Sequence, residues 1–382
     1  MRIAVLTPGF SADEHDWCIP ALTGLVRELA RVHEVQLFTL RYPPRRGSYR
    51  AFSARVHALG GAPRGPLGRL SLLARALARI RREGRRAPFT LLHGMWADEA
   101  GFLAVAAGRV LGVPSVVSLL GGELVALPGI GYGTWLSPAG RALVRRALRH
   151  ADAVTVGSGT MAEMASPLVP AGRLHRLPLG VDTVLFHPRD GVSAAVTLPG
   201  SPALLHVGSL VAVKDQATLL RAFAQVAEEL PGARLHLVGD GPLRPALAAL
   251  AGEVGVSPRV TFHGAVAHER LPAYYRAATL CVLSSRFESQ SMVVLEAAAC
   301  GRATVGTAVG VLPELDGAAR HVPVGDTCAL AGAVLDLARD PARLAAAGEA
   351  SRAAVAERYT LSGSVARLNA LYDRLAAGET AR

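Results

Sequence analysis

The sequence predicts an α/β protein made of two doubly wound parallel-sheet domains. Three observations carry that expectation. A length of 382 residues suits two domains of roughly 150 to 200 residues, each able to bury its own core. Short apolar runs alternate with segments of helical period along both halves. A Pro- and Gly-rich stretch, His187-Pro188-Arg189-Asp190-Gly191 continuing to Pro199-Gly200-Ser201-Pro202, reads as a linker between the two repeats of that pattern. Strand–helix alternation of this kind means parallel strands covered by helices on both faces.

Taken in order, Arg2–Leu6, Val35–Leu40, Thr90–His93, Ser115–Leu119 and Ala153–Val156 are apolar runs of strand length. Between them, Ile19–Ala30, Leu67–Arg82, Glu99–Leu111 and Ala139–Arg149 read as helices. The second half repeats the logic, with strands at Ala203–Val207, Arg234–Val238, Val260–His263, Leu280–Leu283 and Ala303–Val305. Its helices are Gln216–Glu229, Leu243–Gly255, Leu271–Arg276 and Met292–Cys300. The tail from Pro341 to Ala377 is helical and has no strand of its own. The domains are therefore expected at 1–187 and 188–361, with a helix at about 362–377 packing back on the first.

Charge is divided unevenly. All of the net charge of +11 belongs to residues 1–190, and the remainder of the chain is balanced. Part of the excess lies in a basic amphipathic helix over 67–86, where Leu70, Leu73, Leu77 and Ile80 recur at helical spacing with Arg75, Arg79, Arg82 and Arg86 opposite. Two readings stay open: a surface helix with solvated arginines, or a peripheral contact with an anionic membrane. Nucleic acid is not an expected partner, because the basic stretch lacks interleaved aromatics for stacking. Cys18, Cys281, Cys300 and Cys328 are too far apart for a metal-ligand spacing and fit free thiols in a reducing cytoplasm. No leader-like or bilayer-length apolar segment is visible, so the expected location is cytoplasmic, with contact at the inner membrane face the peripheral option.

One lysine stands against forty arginines, and that residue, Lys214, follows the strand Ala203–Val207 in Gly208-Ser209-Leu210-Val211-Ala212-Val213-Lys214. A compact ammonium kept at a strand end points to a phosphate-bearing ligand. The second signal is Ser285-Arg286-Phe287-Glu288-Ser289-Gln290-Ser291, leading into a helix that carries Glu296. Glu288 belongs to the strand-to-helix loop and Glu296 to the helix. The amides of Ser289, Gln290 and Ser291 lie at the helix N-terminus, where unpaired donors and the macrodipole favour phosphate. A carboxylate accepts hydrogen bonds only, which suits sugar or ribose hydroxyls, and an unpaired glutamate among Val293, Val294, Leu295 and Ala297 would be costly to bury. No Asp-x-Asp, His/Cys cluster or Walker loop is present, so no metal and no cofactor are expected.

These motifs, with Pro178-Leu179-Gly180-Val181-Asp182, Val238-Gly239-Asp240-Gly241-Pro242 and Val260-Thr261-Phe262-His263-Gly264, resemble those of the retaining nucleotide-sugar glycosyltransferases of family 4. The resemblance implies the GT-B fold, two Rossmann-like domains facing across a cleft. It implies a nucleotide-sugar donor on the C-terminal domain. Lys214 is similar to the residue that binds the donor diphosphate, and Glu296 to the one that holds the ribose hydroxyls. Glu288 resembles the carboxylate near the donor sugar, giving Glu288 and Lys214 the catalytic roles. Gly208, Ser209 and the amides of Ser289, Gln290 and Ser291 would line the donor site, the main chain of Ala265 and Val266 would meet the base, and Gly9 would let backbone approach the phosphates. Three departures stand out: Ser209 where the family has arginine, Ser289-Gln290-Ser291 where it has Gly-Phe-Gly, and Leu120 where it often has histidine.

On the acceptor side His93, Glu123 and Asp13 are candidates, each with a structural alternative as a core histidine or a loop carboxylate. The resulting expectation is a hexosyltransferase that moves a sugar from a nucleoside diphosphate to an acceptor hydroxyl with retention. The acceptor is unidentified, and a lipid-linked one is an option. The alternative is a catalytically silent sugar-nucleotide-binding protein, motivated by Ser209 and Leu120.

Overall fold

The computed structural model describes residues 1–16, 18–61, 65–188, 196–315 and 319–379. The chain divides into two compact units, Met1–Gly180 with Leu361–Arg382, and Val181–Thr360. The division falls seven residues before the expected 187, because Val181 and Phe186 are buried in the second unit's core. Arg189 to Gly191 of the expected linker lie outside the described residues.

In the first unit the chain runs β1 (Arg2–Gly9), α1 (Pro20–Leu29), β2 (Glu34–Tyr42), β3 (Arg46–Ala51), β4 (Ala54–Leu59), α2 (Pro66–Arg86), β5 (Leu91–Met95), α3 (Glu99–Leu111), β6 (Ser115–Leu119), α4 (Pro138–His150), β7 (Ala153–Val156), α5 (Gly159–Ala165) and β8 (Leu174–Arg176). The sheet order is β3-β4-β2-β1-β5-β6-β7-β8. It is parallel except at β3–β4, an antiparallel hairpin that corrects the all-parallel expectation. The hairpin turns on Phe52 (φ 50°) and Ser53 (φ 64°), two consecutive left-handed residues whose twist matches that of the flanking strands. Neither is Gly or Asn, so the usual sequence signal for such a turn is missing.

The basic helix α2 packs most of its expected face inward, with Ile80 buried and Leu73 and Leu77 against the core, but the buried stripe is shifted to include Leu72 and Ala76 and leaves Leu70 out. Leu72, Ala76, Ile80 and Glu83 are its buried residues, and Leu67 and Leu70 are exposed. Arg75 Nη1 donates to Ser71 Oγ at 2.9 Å, and Arg79 Nη2 to Ser48 Oγ and His57 Nδ1, each at 2.9 Å. These two arginines are drawn onto their own domain. Arg81, Arg82, Arg85 and Arg86 remain exposed.

The second unit runs β9 (Ala203–Val207), α6 (Gln216–Glu229), β10 (Arg234–Val238), α7 (Arg244–Glu253), β11 (Val260–Gly264), α8 (Leu271–Ala277), β12 (Leu280–Leu283), α9 (Met292–Ala299), β13 (Thr304–Thr307), β14 (Arg320–Val322), α10 (Thr327–Ala338) and α11 (Pro341–Arg358). Its six-stranded sheet, β11-β10-β9-β12-β13-β14, is parallel throughout. Strand order reverses between β9 and β12, the kind of switch point at which doubly wound sheets bind ligands, beyond the strands' carboxyl ends. The helical tail is two helices. α11 stays in the second unit against α9, whereas α12 (Leu361–Ala376) packs on α1 and β5 of the first. Leu368, Leu371, Tyr372 and Leu375 of α12 are buried there, each such apolar side chain worth about 1.5–3 kcal/mol.

Candidate functional site

The loops after β9 and β12, neighbouring strands at the switch point, are stitched together. Arg286 N donates to Val213 O at 2.7 Å, Ser284 Oγ to Lys214 O at 2.8 Å, and Arg286 Nε to Asp215 Oδ2 at 3.0 Å. Asp215, at φ 48°, turns the chain into α6 and holds the ion pair with its side chain buried. Arg286 is thereby committed to Asp215, and not to the place left by Ser209. The adjoining ends are also fixed: Thr307 Oγ1 of β13 donates to Ser285 O at 2.6 Å, and Val311 N to Gln290 O at 2.9 Å.

Within this frame Lys214 Nζ donates to Glu288 Oε1 at 2.6 Å, and Ser285 Oγ donates to the same oxygen at 2.6 Å. The two charged residues, 74 apart in sequence, form one largely buried pair. Gly208 packs beside it: a Cβ there would lie in ordinary van der Waals contact, 3.6 Å from His206 Nε2 and 3.9 Å from the Lys214 stem. Gly239, at φ 133°, admits no side chain, because a Cβ would lie 2.0 Å from Gly208 O. His206 beneath the pair donates from Nδ1 to Val282 O at 3.0 Å and accepts at Nε2 from Gln216 Nε2 at 3.3 Å, while that amide also donates to Ser209 O at 2.9 Å. Burial pushes its pKa down to about 4, so it is a neutral support, as a core histidine should be.

Ser291, left-handed at φ 76°, is the residue before α9, and its buried Oγ has no hydrogen-bond partner among the described residues. Four residues into α9, Glu296 is buried with both carboxylate oxygens occupied: His268 Nε2 donates to Oε1 and Tyr275 Oη to Oε2, each at 2.9 Å. Phe186 packs edge-on against both donors, with ring centroids 5.0 Å from His268 and 6.0 Å from Tyr275. Burial, then the Glu296 charge, holds the Tyr275 hydroxyl well above its ordinary pKa, so it stays a donor. The partner that a buried Glu296 requires is thus supplied from α8 and the turn before it. Sequence reasoning missed His268, Tyr275 and Ser285, for which no local pattern exists. Ala265 and Val266 follow β11, exposed and half-buried respectively.

In the first unit the acceptor-side candidates part company. His93 is fully buried, with Nδ1 2.6 Å from Tyr372 Oη and Nε2 2.7 Å from Ser118 Oγ. Burial pushes its pKa down to about 3, and it docks α12 onto the sheet. Glu123 is also buried, accepting from the amides of Ala97 (3.2 Å), Leu120 (3.0 Å) and Gly121 (2.6 Å). It braces the loops that follow β5 and β6, and burial pushes its pKa up to about 7. Asp13 is exposed in the loop after β1, where its Oδ1 accepts from the amides of His15 and Asp16. The close neighbour of Gly9 is strand β2: a Cβ there would lie 3.1 Å from Tyr42 Cβ.

Comparison with known proteins agrees with this layout. Residues 201–340 match the family described as glycosyl transferases group 1, and residues 19–180 match a glycosyl transferase 4-like domain. A GDP-mannose-dependent alpha-(1-6)-phosphatidylinositol monomannoside mannosyltransferase of Mycobacterium tuberculosis is 31% identical over 294 residues, covering 72% of this chain and 74% of that one. Its namesake from Mycolicibacterium smegmatis is 35% identical over 235 residues, which span 58% of this chain and 62% of that protein. Among solved structures, sucrose-phosphate synthase from Thermosynechococcus elongatus superposes with a TM-score of 0.78, covering 99% of each chain at 23% identity. Anabaena HepE, solved in complex with UDP and glucose, gives 0.74 over 97% of this chain and 99% of that one at 19% identity. The fold is GT-B.

Proposed function

Because this chain belongs to the glycosyl transferases group 1 family, we propose that it moves a hexosyl group from a nucleoside-diphosphate sugar to an acceptor hydroxyl with retention of configuration. The observation that carries the donor half is the Lys214–Glu288–Ser285 cluster at the switch point of the second sheet, directly before the N-terminus of α9. In this reading the donor's diphosphate takes the ammonium of Lys214 away from Glu288, and its negative charge is shared with the amides of Ser289, Gln290 and Ser291 and the Ser291 hydroxyl. Glu288, released from the pair, faces the sugar. Glu296, held by His268 and Tyr275, keeps lone pairs for the ribose hydroxyls, and the backbone at Ala265 and Val266 borders the base. As the anomeric carbon–oxygen bond breaks, charge grows on the departing diphosphate. A donor such as Lys214 then gains strength in the transition state and lowers the barrier, as an oxyanion-stabilising group does. The acceptor hydroxyl attacks from the face the leaving group vacates and gives its proton to the departing diphosphate oxygen, so the product keeps the donor's anomeric configuration.

No metal or other cofactor has a part in this scheme. The acceptor reading is a phosphoinositol-type or other lipid-linked glycan, supported by the mannosyltransferase relatives. Peripheral contact with an anionic membrane is supported by the exposed side of α2, which carries Leu67, Leu70, Arg81, Arg82, Arg85 and Arg86. On the first unit, Asp13 in the loop after β1 is the acceptor-side candidate, and Gly9 at the end of β1 borders the donor phosphates; His93 and Glu123 act through the scaffold. The test incubates the enzyme with GDP-mannose, UDP-glucose and UDP-N-acetylglucosamine in the presence of phosphatidylinositol glycolipids, and reads nucleotide release and the anomeric coupling constant of the product. An α-configured product from an α-linked donor supports the proposal. Tight nucleotide binding with neither transfer nor donor hydrolysis would instead make the protein a silent sugar-nucleotide binder.

A further inference from the structure

At the β3–β4 edge of the first sheet, α2 and the hairpin flank an open pocket of about 450 Å³, within the range of small-molecule sites. Its lining includes Arg46, Arg75, Arg79 and Arg82, with Ser48 and His57. Among the described residues no carboxylate lines it. The adjacent acid is Glu83, which already pairs with both Arg79 and Arg86 at 3.2 Å. Arg50 and Arg55 face each other directly across the hairpin, adding to the positive potential. Like charges are held together here at a cost that an anion would relieve. The site is also set up with donors: Arg75 Nε is buried with no hydrogen-bond partner among the described residues, and Arg46 and Arg82 are exposed.

The histidine in the wall fixes one guanidinium rather than competing with it. An arginine only donates, so Arg79 Nη2, 2.9 Å from His57 Nδ1, makes that nitrogen the acceptor. His57 Nε2 then carries the hydrogen and donates to Gln36 Oε1 at 2.8 Å, while Gln36 Nε2 donates to Glu34 Oε1 at 2.8 Å. The chain of bonds holds the imidazole neutral and orients the Arg79 fork. Planar forks converging from a helix and a hairpin suit a tetrahedral oxyanion.

We propose that this pocket is a binding site for a phosphate group, separate from the donor site. The sheet order puts it at the β3 edge, two strands beyond β2 and β1 and on the unit that does not carry Lys214 or Glu296. The phosphate belongs either to a soluble phosphate ester or to a lipid headgroup, and the proposal does not rest on the donor reading. The experiment uses pyrophosphate as the probe, titrated calorimetrically at low salt into full-length Lys214→Ala protein, with and without the added pair Arg46→Gln and Arg82→Gln. Those two side chains make no hydrogen bond or ion pair within the described residues, and glutamine keeps part of each stem, so the fold should survive; an unchanged melting temperature checks it. Binding that persists in Lys214→Ala, falls at least tenfold on adding the arginine pair, and weakens with salt is the expected result. Cosedimentation with phosphatidylcholine vesicles containing one-quarter phosphatidylglycerol identifies the source: loss of vesicle binding in the Arg46→Gln/Arg82→Gln protein, together with competition by pyrophosphate, assigns a headgroup. Vesicle binding indifferent to the pair, alongside pair-dependent pyrophosphate binding, assigns a soluble ligand. If neither probe responds to the arginine pair, the pocket is not a phosphate site.

Discussion

Replacing Glu296 separates its two roles. In Glu296→Ala the Tyr275 hydroxyl loses the oxygen 2.9 Å away that accepts its hydrogen, and Tyr275 is only 1% exposed, so water has no ready access to it. A stranded buried donor costs about 1–3 kcal/mol. At about 2–4 °C per kcal/mol for a domain of this size, a cost near 2 kcal/mol lowers the melting temperature by about 4–8 °C. In Glu296→Gln the amide oxygen still accepts from Tyr275, and the amide nitrogen can donate to His268 Nε2 once that ring changes tautomer. Stability should then stay within about 0.5 kcal/mol of the wild type. What the glutamine cannot restore is the charged acceptor. Hydrogen bonds to charged groups are worth about 1.5–3 kcal/mol, so nucleoside diphosphate affinity should fall roughly ten- to a hundredfold. Differential scanning calorimetry and nucleotide titration on both variants read the two effects. A glutamine variant as unstable as the alanine one, or one that binds nucleotide like the wild type, would refute the assignment of bracing to the hydrogen bonds and ribose binding to the charge.

Lys214→Ala should reduce transfer by roughly a hundredfold, the equivalent of losing about 3 kcal/mol of contact in the transition state, while single-turnover kinetics show the loss in kcat rather than in KM alone. The acid limb of stability should be set in part by buried neutral histidines. For His206, a folded pKa near 4 against an ordinary 6.5 means the unfolded chain binds the extra proton as pH falls through 6.5, so stability declines between pH 6.5 and 4 by up to about 3 kcal/mol. Replacing it with asparagine should flatten that part of a melting temperature–pH profile; an unchanged slope would contradict the burial argument. Tyr372→Phe leaves His93 Nδ1 without its partner and should cost about 1–3 kcal/mol, with hydrogen exchange of α12 and β5 amides rising together.

Much of the architecture was legible because the inner strands of both sheets are buried on both faces and therefore appear as unbroken apolar runs. Ser115–Leu119, Ala153–Val156 and Ala203–Val207 lie where those runs place them. The β3–β4 hairpin was not, since its two left-handed turn residues are Phe52 and Ser53. The face of α2 was legible in part, because leucines occupy several helical stripes at once: Leu73, Leu77 and Ile80 pack inward as read, while Leu72 is buried and Leu70 exposed. At the candidate site, uniqueness singled out Lys214 and the awkwardness of a buried carboxylate singled out Glu296. The groups that satisfy Glu296 stand 28 and 21 residues away, and Ser285 is indistinguishable from any loop serine until it meets Glu288. The same limit applies to His93 and Glu123: polarity at a strand end is visible in sequence, but the internal partners that hold these side chains are not.

In the proposed donor site, Lys214 and the N-terminus of α9 receive a nucleoside diphosphate. Titration of GDP, UDP and ADP into wild type and Lys214→Ala, followed by thermal shift at saturating ligand, tests it most directly. One nucleotide at about 100 times its dissociation constant should stabilise the wild type by about 2.7 kcal/mol and the variant by far less. Equal stabilisation of both proteins, or none of either, would mean that Lys214 does not hold a nucleoside diphosphate.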